Sequence, residues 1–234
     1  MKYRLPFHNG TPQVSKIMAR EIERQRLIIP KVSSKNLQEL SQIVKFIEQR
    51  GLPKEFLCKS LPHHLGRGIF LHPQAKPILK GQMIAPYAGD VVIYPEKEAE
   101  DSSYAFSPLS GIRLSREEQL FFSPKLPFRP NRLYSLDVDA EKKGNFTRFI
   151  NHSAKPNVEA HLLRIPSNSY GLKPVSLEIF YIAKKTIRPG EQLLVCYEGE
   201  ENSYWAALKI KPFPVTPQTF QINASLEVFQ CTPA

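Results

Sequence analysis

The chain has 234 residues, 41% hydrophobic and 23% charged, with a formal net charge of +10, proportions that suit a globular protein with one substantial core. No apolar run approaches the roughly 18 residues that a spanning helix needs, and the N-terminus Met1-Lys2-Tyr3-Arg4-Leu5-Pro6 lacks the apolar stretch of a signal peptide. Three distant cysteines (Cys58, Cys196, Cys231) form neither a disulfide framework nor a zinc-spaced cluster, so an intracellular, soluble protein is expected, with secretion lacking a cleaved signal an open route.

Residues 14–28 and 35–50 read as helices. In the second, Leu37, Leu40, Val44 and Ile47 recur at three and four residues, Ser34 is placed to cap, and Gly51 with Pro53 ends the pattern. Residues 1–60 hold 12 Lys/Arg against 5 Asp/Glu, whereas residues 61–234 hold 20 against 17. The basic character therefore belongs to the N-terminal segment. Such an arm suits nucleic acid or an acidic protein surface, and a solvated helical face explains it equally well. From about residue 57 the texture changes to short apolar runs at 83–87, 104–106, 133–138, 158–165, 177–183 and 192–197. Arg188-Pro189-Gly190-Glu191 marks a turn between the last two, and the pattern predicts a mainly β domain with some α. Residues 107–132 read as an insertion. After Tyr204 and Trp205, Pro212, Pro214, Pro217 and Pro233 favour extended chain. The expected organisation is a basic helical segment (1–56), a mainly β domain (57–199) and a Pro-rich C-terminal segment (200–234).

The most informative stretch is 145–157, Asn-Phe-Thr-Arg-Phe-Ile-Asn-His-Ser-Ala-Lys-Pro-Asn. Arg148, Asn151, His152 and Asn157 supply more side-chain donors and acceptors than a core strand uses, and Pro156 rules out a helix. A site that grips a polar ligand needs such groups. The segment closely resembles the Arg-Phe-Ile-Asn-His-Ser signature of SET-domain protein lysine methyltransferases, specifically the bacterial type lacking the post-SET zinc cluster. The resemblance implies a SET fold: several short-stranded curved sheets around a knot-like core, here after a small helical N-terminal segment.

Five further motifs follow that family's order. Gly66-Arg67-Gly68-Ile69 is similar to its Gly-X-Gly motif, where the backbone approaches S-adenosylmethionine. Tyr87-Ala88-Gly89-Asp90 resembles Tyr-X-Gly-Glu/Asp, and Ser103-Tyr104-Ala105-Phe106 resembles the Ser-Tyr-X-Phe strand. Val138-Asp139-Ala140 leads into the signature, with Asp139 read as a buried turn-holder. Gly190-Glu191-Gln192-Leu193-Leu194-Val195-Cys196-Tyr197 is similar to the Gly-Glu-Glu-Leu ending that carries the catalytic tyrosine. By resemblance Tyr197 and Tyr87 are catalytic. Gly66, Arg67, Gly68, Tyr104, Arg148, Asn151, His152 and Trp205 would hold S-adenosylmethionine. Tyr87, Phe149, Val195 and Tyr197 would line the lysine channel. The implied activity is in-line methyl transfer to a deprotonated lysine amine of a histone or histone-like basic protein, with chromatin or nucleoid association following from such a substrate. A non-catalytic SET-like chromatin or nucleoid interaction module is the alternative.

Two departures matter. Many members carry Cys after Asn-His-Ser and a later cysteine cluster on zinc; here the position is Ala154 and the cluster is missing, so no metal is expected. His152 lacks companions at ligand spacing, which agrees. The aromatic closing the site must then come from Tyr204, Trp205, Phe213 or Phe220, with Trp205 the first choice. Val195 stands where the family often has Phe or Tyr, leaving room for more than one methyl. Acidic residues Glu96, Glu98, Glu100 and Asp101, and Glu198, Glu200 and Glu201, flank the channel motifs and are expected to attract a basic substrate.

Overall fold

The computed structural model describes residues 3–5, 12–30, 32, 38–40, 42–43, 47, 51–62, 66–96, 104–122, 127–165 and 176–197. Helix α1 (Pro12–Gln25) starts on a proline, whose fixed φ suits the first helical position. It buries Val14, Ile17, Met18 and Glu21, the spacing of one helix face. It ends three residues before the sequence pattern does. Arg26 adopts φ 54°, and Leu27 N–H donates to Ile22 O (3.0 Å) while Arg26 N–H donates to Glu23 O (3.1 Å). That left-handed cap usually carries glycine, so the stop left no mark in the sequence. Residues 38–40, 42–43 and 47 are helical, with Leu40 and Ile47 buried; Ser34, Leu37 and Val44 lie outside the described residues.

Strands dominate the rest, in several small sheets. Strands β1 (Tyr3–Leu5), β5 (Gly89–Pro95), β6 (Ala105–Arg113) and β7 (Leu133–Asp139) form an antiparallel sheet in the order β1-β5-β7-β6. Strands β2 (Phe56–Ser60) and β3 (Arg67–Leu71) form a hairpin with Cys58 opposite Ile69. The third sheet runs β4-β10-β9-β11-β8, from β4 (Met83–Pro86), β8 (Asn151–His152), β9 (Val158–Ile165), β10 (Ser176–Ala183) and β11 (Leu194–Val195). One face of it gives Ile179, Tyr181, Val158 and Val195 to the main core; the other packs Phe180 and Leu163 on Val32 and Leu40.

The N-terminal segment is woven into this framework. Tyr3 pairs with Val91 at a sheet edge, and Val32 and Pro30 exchange backbone hydrogen bonds with Arg164 (3.2 and 3.0 Å), covering the end of β9. The stretch 107–132, marked by composition as an insertion, opens with most of β6. Register shifts at Phe106/Leu109 and Leu109/Ile112 let the strand carry Pro108 and Gly111, which read as turn residues. A short helix α2 (Arg116–Phe122) follows, opened by a reciprocal cap: Glu118 N–H donates to Ser115 Oγ (3.2 Å) and Ser115 N–H to Glu118 Oε2 (2.8 Å).

Helix α1 is clamped to β6 and α2 by charge. The Glu21 carboxylate, fully buried, takes Arg20 Nε (3.2 Å) and Arg24 Nη2 (2.6 Å). Arg20 also reaches Glu118 (2.7 Å) and Arg113 O (2.6 Å), and Arg24 reaches Gly111 O. These two arginines therefore bond to groups of the protein itself while remaining partly exposed.

Candidate functional site

Asn145 builds the entrance to the site. Its backbone is extended and its Oδ1 accepts Thr147 N–H (3.0 Å), so it caps the single turn of 3-10 helix Phe146–Phe149. Its amide donates to Pro86 O (2.7 Å), and Thr147 Oγ1 donates to the same carbonyl (3.3 Å). The signature turn is thereby fastened to the end of β4, where Tyr87 leaves the strand.

The next residues run as β8, parallel to β11, with Asn151 opposite Leu194 and His152 opposite Val195. Two-residue strands hold little by themselves, and side chains complete the seam. Asn157, buried, donates to Gln192 O (2.8 Å) and accepts Leu194 N–H (2.8 Å), substituting for a neighbouring strand. Its backbone N–H donates to Leu194 O (3.0 Å), and Ser153 N–H to Val195 O (2.9 Å).

Tyr197 leaves this seam held at two points. Its backbone N–H donates to His152 Nδ1 (3.0 Å), and its hydroxyl donates to Ile150 O (2.8 Å). An N–H can only donate, so Nδ1 is the bare nitrogen of His152 and a neutral ring carries its proton on Nε2. The two rings lie 5.5 Å apart.

Tyr87 sits between Phe106 (6.0 Å) and Tyr181 (5.7 Å), and its hydroxyl donates to Tyr104 O. The sharp entry into β5 behind it depends on Gly89, because a Cβ there would lie 2.4 Å from Asp139 O. Burial, and secondarily the neighbouring Tyr87, push the Tyr181 hydroxyl well above its usual range. It stays protonated under any physiological condition.

A cation–aromatic row joins these parts. The Arg148 guanidinium lies 4.7 Å from the Phe149 ring centre and 5.8 Å from that of Tyr104, and donates to Ala140 O (3.0 Å) and Glu141 O (3.2 Å). Arg67 lies 5.3 Å from Phe149, and Asn151 Nδ2 donates to Arg67 O (2.7 Å). Among the described residues no carboxylate pairs with Arg67 or Arg148. Gly66 has φ 73° and nothing within 4 Å of its missing Cβ, so that face of Gly66 borders open space.

Contacts thus link Tyr87, Tyr104, Arg148, Phe149, Arg67, Asn151, His152 and Tyr197 in one continuous set. Val195 is buried within the main core under this set. Trp205, Tyr204, Phe213 and Phe220 lie outside the described residues, as do Glu98, Glu100, Asp101, Glu198, Glu200 and Glu201. Glu96 is described, and its carboxylate accepts Gly111 N–H, bracing β6. Asp139 accepts Glu141 N–H (2.9 Å), holding the turn after β7. Sequence reasoning passed over Asn145 and Tyr181; an Asn two before a Thr was the available cue for the first, and nothing local marked the second. Among the described residues no group of His, Cys, Asp or Glu stands ready to hold a metal. A cavity lined by Ile43, Phe56, Leu71, Met83 and Ile84 opens at the other ends of β3 and β4 and holds no predicted site residue.

A family model described as "SET domain" matches residues 66–198, more than half of the chain. Among curated relatives, the chain is 24% identical over 200 residues to a "Histone-lysine N-methyltransferase, H3 lysine-4 specific" of Kluyveromyces lactis, covering 84% of this chain and 16% of that protein. It is 28% identical over 159 residues to human "PR domain zinc finger protein 2", covering 68% of this chain and 7% of that protein. The chain therefore spans a small part of the length of either relative. Its fold is similar to that of a solved structure of ATXR5 in complex with histone H3.1 mono-methylated on R26, with TM-score 0.51 and 20% identity, over 75% of this chain and 71% of that one.

Proposed function

The chain belongs to the SET-domain family, and from that premise we propose that it is a protein lysine N-methyltransferase using S-adenosylmethionine. The observation that carries this reading is Tyr197, tethered through its hydroxyl to Ile150 O (2.8 Å) and through its backbone to His152 (3.0 Å). A phenol placed in that way, at the end of a sequence motif that elsewhere carries the catalytic tyrosine, is positioned before substrate arrives.

The residues present fit the cofactor. Arg67 and Arg148, cationic and without carboxylate partners among the described residues, suit a ligand carboxylate. The open space at Gly66 admits a ligand close to the backbone. Gly66, Arg67, Gly68, Tyr104, Arg148, Asn151 and His152 would hold it, with Trp205 of the C-terminal segment closing the site. When bound, the cofactor would supply a methyl on a positively charged sulfur for transfer to the lysine amine.

The chain's own work is on the lysine. Tyr87, Phe149, Val195 and Tyr197 would line a channel in which loss of water, together with the positive charge of the cofactor, disfavours an ammonium and lowers the pKa of the amine from about 10.4. The Tyr197 hydroxyl orients the lone pair, and the amine loses its proton to solvent before transfer. Tyr181 beside Tyr87 cannot serve as a base, because burial holds its proton in place.

A histone or histone-like basic protein is the proposed substrate, supported by relatives named for histone lysine methylation. Action on such a substrate would bring the protein to chromatin or a nucleoid. Incubation with methyl-labelled S-adenosylmethionine, mixed histones and a cell lysate tests the whole reading. Label on lysine side chains, lost in Tyr197→Phe, is the expected result. Cofactor binding without any labelled protein would favour the non-catalytic module instead.

A further inference from the structure

The sequence puts its excess of cations in residues 1–60, but the fold gathers a second set from positions scattered along the chain. Residues 74–82, 153–158 and 183–190 hold Lys76, Lys80, Lys155, Lys184, Lys185 and Arg188, and no carboxylate. Backbone hydrogen bonds bring these three segments side by side. Ile78 N–H donates to Ile187 O (3.0 Å) and Ile187 N–H to Ile78 O (2.8 Å), so the turn before β4 pairs with the turn after β10. Gly81 N–H donates to Ala183 O (2.8 Å), Ala183 N–H to Gln82 O (2.9 Å), and Lys184 N–H to Asn157 O (2.9 Å). Ala183 and Ile187 are buried and anchor the pairing, whereas all six cations are exposed. Among the described residues none of the six forms an ion pair. The carboxylates that flank the segments are engaged: Glu191 accepts Arg188 N–H (3.0 Å), and Glu159 pairs with His161 (3.0 Å). Six cations against these two carboxylates leave a local charge of +4. Hydrogen-bonded neighbouring segments lie about 5 Å apart, inside the Debye length of about 8 Å at physiological salt, so the charges act together.

We propose that this face binds the phosphodiester backbone of a nucleic acid. A protein partner needs apolar or aromatic anchors at the centre of its interface, and a membrane surface needs an apolar face to enter it. In these segments Leu79 is the single large apolar side chain that stands exposed. What remains is a set of flexible cations with the exposed Thr186 among them, chemistry that suits a run of phosphates. The proposed substrate is itself basic, so the face would repel it rather than hold it. The position agrees with a separate task. The face lies at the start of β4 and Tyr87 follows its other end, five residues of extended chain or roughly 16 Å away. A nucleic acid bound there leaves the SET site free for a protein lysine. Binding of the polymer stands independently of the methyltransferase reading; its use, holding the enzyme beside a histone-like substrate on nucleic acid, rests on that reading.

The test follows the fluorescence anisotropy of a labelled 30-base-pair duplex DNA with the full chain between 50 and 200 mM KCl. A duplex RNA of the same length forms a second arm and tells the two polynucleotides apart. The logarithm of the wild-type association constant for DNA should fall linearly with the logarithm of salt, with a slope of about −5 for about six phosphates. Lys80→Ala, Lys184→Ala and Lys185→Ala combined should bind about tenfold or more weakly at 100 mM KCl and flatten the slope by about 3. Lys→Arg at the same three positions should bind as the wild type does. A control with equal charge loss, Lys31→Ala, Lys35→Ala and Lys45→Ala combined, should lose less than about threefold, because net charge alone is not the cause. No binding to either duplex at 50 mM KCl, or equal losses in the two Ala triples, overturns the proposal. Capture of poly-glutamate in preference to both duplexes makes the face a dock for an acidic protein and overturns it as well. Methylation of a free histone peptide by the Lys80, Lys184 and Lys185 variant should match that of the wild type. A wild type that binds the duplex through this face and methylates nothing overturns the proposed function alone.

Discussion

The seam between β8 and β11 and the junction of α1 with β6 and α2 are fastened by opposite means. At the seam, Asn145, Asn151 and Asn157 bind backbone groups, and none of these pins carries a charge. At the junction, Glu21 sits between two arginines, and Glu118 and two carbonyls complete a charged clamp. Neutral amides fix geometry without adding a field, which would suit the proposed meeting of a cationic ligand and an amine that must become neutral. The junction has no such restriction. Charge at the junction holds elements together.

The comparison implies that damage at the seam should affect catalysis and stability regardless of salt. The largest effect is expected from Tyr197→Phe, which removes the hydroxyl donated to Ile150 O. Methyl transfer should lose about 2–4 kcal/mol of transition-state stabilisation in kcat/KM while cofactor affinity holds. A variant with full activity would separate Tyr197 from the chemistry. Asn157→Ala leaves Leu194 N–H and Gln192 O without their partner in a buried seam, at a cost of about 2–3 kcal/mol in urea unfolding. That loss should be the same at low and high salt.

Glu21→Gln probes the other region. Its arginine partners are 43% and 36% exposed, so solvent weakens the pairs and the expected loss is about 1–2 kcal/mol despite the buried carboxylate. The gap between wild type and variant should narrow in 0.5 M salt, because the junction is electrostatic and the seam is not. An unchanged gap would erase the distinction. The smallest effect belongs to Tyr181. Its folded pKa lies above the unfolded value of 10.0, so its contribution is complete below pH 10 and is lost as pH rises above that. Near pH 10.5 the wild type should lose ~0.8 kcal/mol from this source, and Tyr181→Phe should be spared it. Parallel melting curves of the two proteins from pH 8 to 11 measure the difference.

The sequence made the strands of the third sheet legible because their apolar runs are bounded by strong turn residues. The predicted 158–165 coincides with β9, and 177–183 with all but the first residue of β10. Strand β6 was hidden because Pro108, Ser110 and Gly111 signal a turn locally, while two register shifts accommodate them in a sheet. Strand β1 was hidden for another reason: three residues paired with β5 are too few to show a periodicity. In the site, the motif residues could be read because polar side chains are conspicuous amid apolar ones. Tyr181 could not, since it sits in an ordinary strand pattern and takes its meaning from neighbours distant in sequence.

The parallel pairing of Asn151 with Leu194 joins chain segments that are far apart along the polypeptide. Pairings of that kind form slowly, since the intervening loop must close before the contact returns any stability. The tyrosine that completes the site therefore arrives with the final stretch to condense, after β9 and β10 have paired locally. In refolding from denaturant, far-ultraviolet dichroism should recover first and methyl transfer should lag behind it.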